Sequence, residues 1–173
     1  IYVTPSRLPE QAQTHIVQAT RTAARALGLR EGPVHAELRL NDHGAWIVEI
    51  AARSIGGLCS NTLEFGGYSL EDLILLHSTG ADISRYERDP QPSGVIMLPI
   101  PRRGILRAVH GTEAARLVPG VVDVTISIPL DDEVIPLPEG NRYLGFIFAK
   151  AETPEAVEAA LRDAHHQLAL EIT

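Results

Sequence analysis

Pro33-Val-His-Ala-Glu-Leu-Arg-Leu40, then Asn41-Asp-His-Gly44, then Ala45-Trp-Ile-Val-Glu-Ile-Ala-Ala-Arg53 is the stretch whose reading decides the fold. The outer runs alternate or are continuously apolar and the centre is turn-forming, which predicts two strands joined by a tight hairpin. With Asp42-His43-Gly44 as a three-residue loop and Gly44 at the left-handed position, Asn41 is expected opposite Ala45, Arg39 opposite Ile47, and Glu37 opposite Glu49. The two-residue period of a strand puts His35, Glu37 and Arg39 on one face with Glu49, Ala51 and Arg53. Val34, Ala36, Leu38, Trp46, Val48 and Ile50 then form the packing face. Like charges directly opposite destabilise a sheet. A divalent cation between them reverses the effect, and Mg²⁺ or Mn²⁺ takes carboxylate oxygens. Arginine matches phosphate oxygens bidentately, and the amides of Gly56-Gly57 suit an anion where a glycine loop opens a helix. Two readings of the charged face stay open: a solvated surface on which Arg39 and Arg53 neutralise the glutamates, or a metal and phosphate site.

Outward from the hairpin, the 173 residues are 45% hydrophobic and carry a net charge of −7. That is enough apolar mass for one ordinary domain or two small ones. The absence of any basic block argues against a nucleic-acid partner. One cysteine excludes an intramolecular disulfide framework and fits a reducing, cytoplasmic compartment. No apolar run approaches the roughly 18 residues of a membrane span, and no signal peptide is visible. The chain opens on Ile1 and its only methionine is Met97, so it is read as a piece of a longer polypeptide.

Ile1-Tyr-Val3 reads as a short strand and Pro9 to Leu27 as a helix stopped by Gly28. After the hairpin comes the loop Ser54-Ile-Gly-Gly57, then a short helix over Leu58 to Phe65 broken by Gly66-Gly67. Ser69-Leu-Glu-Asp72 resembles a capping box and opens a helix closed by Gly80. Asp89-Pro-Gln-Pro-Ser-Gly94 is the clearest linker. Beyond it, strands are expected over Val95–Ile100, Ile105–Val109, Val122–Ile128 and Leu144–Phe148. A short helix spans Thr112–Val118. A final helix starts with Thr153 as N-cap and Pro154 at its first position, and Leu170–Ile172 returns as an edge strand.

His35-Ala-Glu-Leu-Arg-Leu40, a short turn, and Trp46-Ile-Val-Glu-Ile-Ala-Ala-Arg-Ser-Ile-Gly-Gly57 together resemble the C-terminal half of the ATP-grasp fold. Biotin carboxylase, carbamoyl-phosphate synthetase and the L-amino-acid ligases share that fold. The resemblance implies that Glu37 and Glu49 bind the Mg²⁺ ions bridging nucleotide phosphates. It implies that Arg53 faces the phosphoryl group or substrate, with Gly56 and Gly57 on the nucleotide side; His35, on the same charged face, reads either as a nucleotide or metal contact or as a hydrogen-bonded structural histidine. The usual ending Glu-hydrophobic-Asn-Pro-Arg is here Glu49-Ile-Ala-Ala-Arg53, so Ala51 replaces an asparagine ligand. Residues 92–173 resemble the small C-terminal domain of L-amino-acid-ligase-like proteins, through Arg103-Gly-Ile-Leu, Gly111-Thr-Glu-Ala-Ala, Pro119-Gly-Val-Val and Thr153-Pro-Glu-Ala.

The resemblance therefore implies an α+β chain: residues 1–89 as the C-terminal lobe of an ATP-grasp fold, and residues 92–173 as a small α+β domain of mostly antiparallel strands. The implied activity is an ATP- and Mg²⁺- (or Mn²⁺-) dependent carboxylate–amine ligase acting through an acyl phosphate. Its partners would be a small-molecule carboxylate, an amine, and a missing N-terminal lobe. That lobe carries phosphate-holding lysines, whereas the single lysine here is Lys150, so the isolated chain is expected to be inactive. Alternatives are a non-catalytic ATP-grasp-derived binding or assembly module, and a biotin-carboxylase-like fragment that fits the hairpin equally but the small domain less well. A half-fold is expected to expose apolar surface, which makes self-association to a homo-oligomer an expectation.

Other groups have simpler readings. Cys59 is expected to be a small buried residue, and Asn61 lies near enough to the Gly-Gly loop to be weighed as a substitute ligand. His165-His166 cannot share a face and read as surface. Asp131-Asp132-Glu133 lacks the spacing of a calcium loop and reads as a solvated turn, and Arg102-Arg103 as a loop charge pair.

Overall fold

The computed structural model describes residues 1–173. In chain order the elements are β1 (Tyr2–Thr4), α1 (Glu10–Ala26), β2 (His35–Asn41), β3 (Gly44–Ala51), a 3₁₀ turn (Cys59–Thr62), β4 (Glu64–Phe65), β5 (Tyr68–Ser69), α2 (Leu70–Ser78), β6 (Ser93–Leu98), β7 (Gly104–His110), α3 (Thr112–Arg116), β8 (Val121–Ile126), β9 (Glu133–Val134), β10 (Gly145–Lys150), α4 (Pro154–His166) and β11 (Ala169–Ile172). They divide into two units, Ser6–Asp89, and Ile1–Pro5 with Pro90–Thr173. The architecture is α+β with antiparallel sheets throughout.

In the C-terminal unit the strands β1-β6-β10-β8 form one sheet. β10 takes an inner place because Gly145, Ile147 and Ala149 alternate as buried residues with half-buried Phe146, Phe148 and Lys150. Ile147 pairs with Ile96 on one side and Val124 on the other, so three branched side chains meet under the same face. α4 lies across β6 and β10. It buries Val157, Ala160, Leu161 and Ala164, the i, i+3, i+4, i+7 stripe of an amphipathic helix. Thr153 caps it, its hydroxyl accepting from the Ala156 N–H at 3.1 Å, with Pro154 in the first turn. A second sheet, β11-β7-β9, adds Leu106, Val134 and Ile172 to the same core.

Two sequence expectations change here. Ser93-Gly94 reads as linker, yet both residues are buried at the head of β6. A Cβ on Gly94 would stand 2.7 Å from the Tyr2 carbonyl oxygen and 2.8 Å from Val157 Cγ1. Glycine is what lets β1 and α4 close on this strand. Tyr2–Thr4, which reads as the opening of the first domain, pairs instead with Ser93–Val95 and joins the C-terminal unit's sheet. A pairing partner about ninety residues away leaves no local trace in the sequence.

In the unit Ser6–Asp89, α1 lies against β3 with Ile16, Ala19, Ala23 and Ala24 half-buried. Leu27, the last residue of the expected helix, is the exposed C-cap. α2 carries the anticipated capping box: Ser69 Oγ accepts from the Asp72 N–H at 3.0 Å, and the Asp72 carboxylate accepts from the Ser69 N–H at 2.9 Å. The helix expected over Leu58 to Phe65 is a single 3₁₀ turn, followed by the two-residue strands β4 and β5 paired around Gly66-Gly67. This unit buries few apolar side chains, only Cys59 and Leu73, whereas the remaining buried apolar residues belong to the other unit.

Candidate functional site

The hairpin brings Glu37 directly opposite Glu49, but by a different route from the one the sequence suggests. Asn41 pairs with Gly44, Leu40 with Ala45, Arg39 with Trp46 and Leu38 with Ile47, so the turn has two residues, Asp42-His43. Gly44 does take a positive φ, 129°. The turn is tightened by the Asn41 side chain, whose Oδ1 accepts from the His43 N–H at 2.9 Å and from Trp46 Nε1 at 3.2 Å. Continued regularly, this register would pair Glu37 with Val48 and set Glu49 against Ala36, on the apolar face. A bulge intervenes between the Glu37 and Leu38 pairs and leaves Val48 without a partner. The extra residue restores the parity that the shorter turn removed. The expected opposition of Asn41 with Ala45 and of Arg39 with Ile47 is thereby corrected, and Trp46 moves to the face of Arg39 and the glutamates.

Both glutamates are exposed. His35 pairs with Ala51, two positions along the same face, and is half-buried. Arg53 lies just past the end of β3. Its guanidinium donates to Glu49 Oε1 at 2.7 Å and to the Ser54 carbonyl at 3.1 Å. The two ion-paired side chains are 52% and 45% exposed, so solvent screens the pair and its net worth is small. Gly57 and Leu58 follow with φ of 64° and 54°. The loop opens only the 3₁₀ turn, where the Cys59 and Asn61 N–H groups already donate to Gly56 and Leu58 carbonyls. Gly56 and Gly57 therefore front a turn rather than the helix expected from the sequence.

No three histidine, cysteine or acidic side chains gather into a metal cage. Mg²⁺ does not need one, since it is commonly held by one or two carboxylates together with phosphate oxygens and water. Two exposed carboxylates on facing strands fit that chemistry.

The other candidates resolve as ordinary structure. Cys59 is buried, and burial pushes its thiol up from its ordinary value, which makes it a poor nucleophile. Asn61 is exposed on the 3₁₀ turn. Asp131, Asp132 and Glu133 are ion-paired with Arg107, Arg142 and Arg103, and Arg102 donates to the Ile172 carbonyl. His165 is held below its ordinary value by burial. Sequence reasoning missed the Val48 bulge, the β4–β5 hairpin and β9. A two-residue turn pairs residues an odd number of positions apart, whereas Glu37 and Glu49 are an even number apart, so the bulge follows once the turn length is known.

An antiparallel hairpin unit followed by a separate α+β unit is an arrangement similar to the C-terminal half of ATP-grasp proteins. Residues 1–62 match the family model of the ATP-grasp domain, and residues 96–173 that of L-amino acid ligase C-terminal domain 2. The L-amino acid ligase of Bacillus licheniformis has a similar structure, with TM-score 0.83 and 25% identity over 99% of this chain and 44% of its own. Phosphoribosylglycinamide synthetase from Anaerococcus prevotii follows with TM-score 0.78 at 17% identity, covering 99% and 44%. The uncharacterized protein y4rH of Sinorhizobium fredii is 23% identical over 163 residues, 92% of this chain and 34% of its own length. The chain thus has the fold of the C-terminal part of an ATP-grasp protein, with residues 96–173 similar to the small C-terminal domain of L-amino acid ligases, and it spans less than half the length of these proteins. No helix is long and apolar enough to cross a membrane.

Proposed function

We propose that this chain is the metal- and phosphate-binding C-terminal part of an ATP-dependent carboxylate–amine ligase. The observation that carries the reading is the direct opposition of Glu37 and Glu49 on an exposed face, with Arg53 at its end. Bound there, Mg²⁺ or Mn²⁺ would offset the charge of the nucleotide phosphates. Glu37 and Glu49 hold that charge in place, and Arg53 faces the transferred phosphoryl group. Gly56, Gly57 and His35 border the same ground from the loop and from the first strand. In the reaction a substrate carboxylate oxygen attacks the terminal phosphorus of ATP, releasing ADP and giving an acyl phosphate. An amine then attacks the acyl carbon, and phosphate leaves. The protein's share of this work is positioning and charge neutralisation.

The test uses the full-length protein. Glu37→Gln and Glu49→Gln should each reduce ATP turnover about 100-fold or more, as removal of electrostatic stabilisation does. Near-normal rates in both would refute the assignment. The 173-residue chain alone should release no ADP from ATP, Mg²⁺ and candidate acids, because it lacks the phosphate-holding lysines of the N-terminal lobe. Turnover by it would overturn the view that a further lobe is required.

One observation favours a second reading, a non-catalytic binding or assembly module. Ala51 occupies the position opposite His35 where a side-chain ligand would extend. A full-length protein that binds Mg²⁺ and nucleotide yet hydrolyses none of it with any acid would select the module. The carboxylase alternative has less support, since residues 96–173 match the L-amino acid ligase domain.

A further inference from the structure

Resting on the metal reading above, we propose that Arg53 occupies the cation's place in the metal-free protein. It is the counter-ion of Glu49, and a divalent cation has to displace it before Arg53 can engage a phosphate-bearing ligand. The site therefore takes its cation first and its anion second.

Three observations carry this. The guanidinium is held at two points, on Glu49 Oε1 at 2.7 Å and on the Ser54 carbonyl oxygen at 3.1 Å. A cation bridging Glu37 and Glu49 competes with Arg53 for the carboxylate whose Oε1 the guanidinium already holds. Ala51, the last residue of β3, lies between Glu49 and Arg53 in the chain, and its side chain is a methyl group with no atom to bind either a cation or the guanidinium. The side chains of Glu37 and Arg39, on the facing strand, make no ion pair or hydrogen bond. The charge on this face is thus unevenly distributed: one glutamate is neutralised and the other is open. Incoming metal meets Glu37 first and competes for Glu49.

Competition of this kind predicts a sign opposite to that of an arginine that serves only phosphate. Removing Arg53 should tighten metal binding in the absence of nucleotide. An exposed ion pair of this type is worth a factor of about 1.5 to 5 in an equilibrium constant. The experiment is Mn²⁺ titration of the 173-residue protein without nucleotide, with free Mn²⁺ read by electron paramagnetic resonance. It compares wild type with R53Q, R39Q, E37Q and E49Q.

R53Q should bind Mn²⁺ about 1.5- to 5-fold more tightly. R39Q, which removes an unbonded positive charge from the same face, should gain less than half as much on a logarithmic scale. In the wild type, adding diamagnetic Mg²⁺ should shift the Arg53 Nε–Hε resonance while leaving that of Arg39 in place. If R53Q binds no more tightly than R39Q, or the Arg53 resonance does not move while E37Q and E49Q still abolish binding, the exchange is wrong and the glutamate site stands. If E37Q and E49Q leave Mn²⁺ binding unchanged, or the wild type binds none, the glutamate reading itself fails and the exchange falls with it.

Discussion

Glu37→Gln should stabilise the metal-free chain and destabilise it, relative to wild type, once Mg²⁺ is present. Residues directly opposite on an antiparallel pair have Cβ atoms about 5 Å apart. Two like unit charges at that distance repel by about 0.8 kcal/mol in a water-like medium. Arg53 on Glu49 cancels part of this, which leaves about 0.5 kcal/mol to be gained by the substitution. In a unit of this size that is about 2–4 °C in Tm. With free Mg²⁺ at ten times its dissociation constant, binding adds about 1.4 kcal/mol to the wild type and little to a variant with one carboxylate. The order of stabilities therefore inverts by about 0.9 kcal/mol, or roughly 4–7 °C. Trp46 is the only tryptophan and lies within the hairpin, so its emission follows this unit during thermal unfolding. Melts with EDTA and with Mg²⁺ decide the matter. A variant that melts at or below wild type in EDTA, or that gains as much from Mg²⁺ as wild type does, refutes the reasoning.

Further outcomes follow from the packing and the caps. Leu161 is fully buried under the four-stranded sheet, and Leu161→Ala should cost about 2–5 kcal/mol in urea unfolding. Gly94→Ala forces a methyl group against the Tyr2 carbonyl and Val157 and should cost about 1–3 kcal/mol by the same measurement. Ser69→Ala removes the N-cap of α2 and should lower stability by about 1 kcal/mol in a Trp46-monitored melt. The Thr125 hydroxyl and then Arg116, both at 2.7 Å, hold the Asp123 carboxyl below its ordinary value. A depressed carboxyl stabilises above its unfolded pKa of 3.8 and loses that contribution as pH falls through the lower folded value. The urea midpoint of wild type should therefore exceed that of Asp123→Asn at pH 7, and the gap should close as the pH drops below about 4. A gap that persists at pH 2 would contradict the cause assigned.

Helix ends were legible because their signals are local. Thr153-Pro154 and the Ser69…Asp72 box satisfy backbone groups within four residues of themselves, so the letters alone locate them. The α4 stripe Val157, Ala160, Leu161 and Ala164 is local in the same sense, a periodicity confined to one element. Elements of two residues, such as β4, β5 and β9, carry too few side chains to show any period. Ser93-Gly94 followed a proline-rich stretch and looked like its continuation. Only the approach of Tyr2 and α4 reveals why glycine stands there.

The sequence by itself determined that two acidic strands meet at a turn and that a capped, amphipathic helix closes the second unit. Those are properties of neighbouring residues and their spacing. Tertiary structure alone decided how the glutamates come to face each other. The turn is one residue shorter than its glycine suggested, and Val48 bulges to compensate. A two-residue turn without that bulge would turn Glu49 toward the apolar face packed near α1, where an unpaired carboxylate is costly. The choice between those registers rests on which side of the hairpin is covered, and that is settled by packing against α1 rather than by any local run of residues.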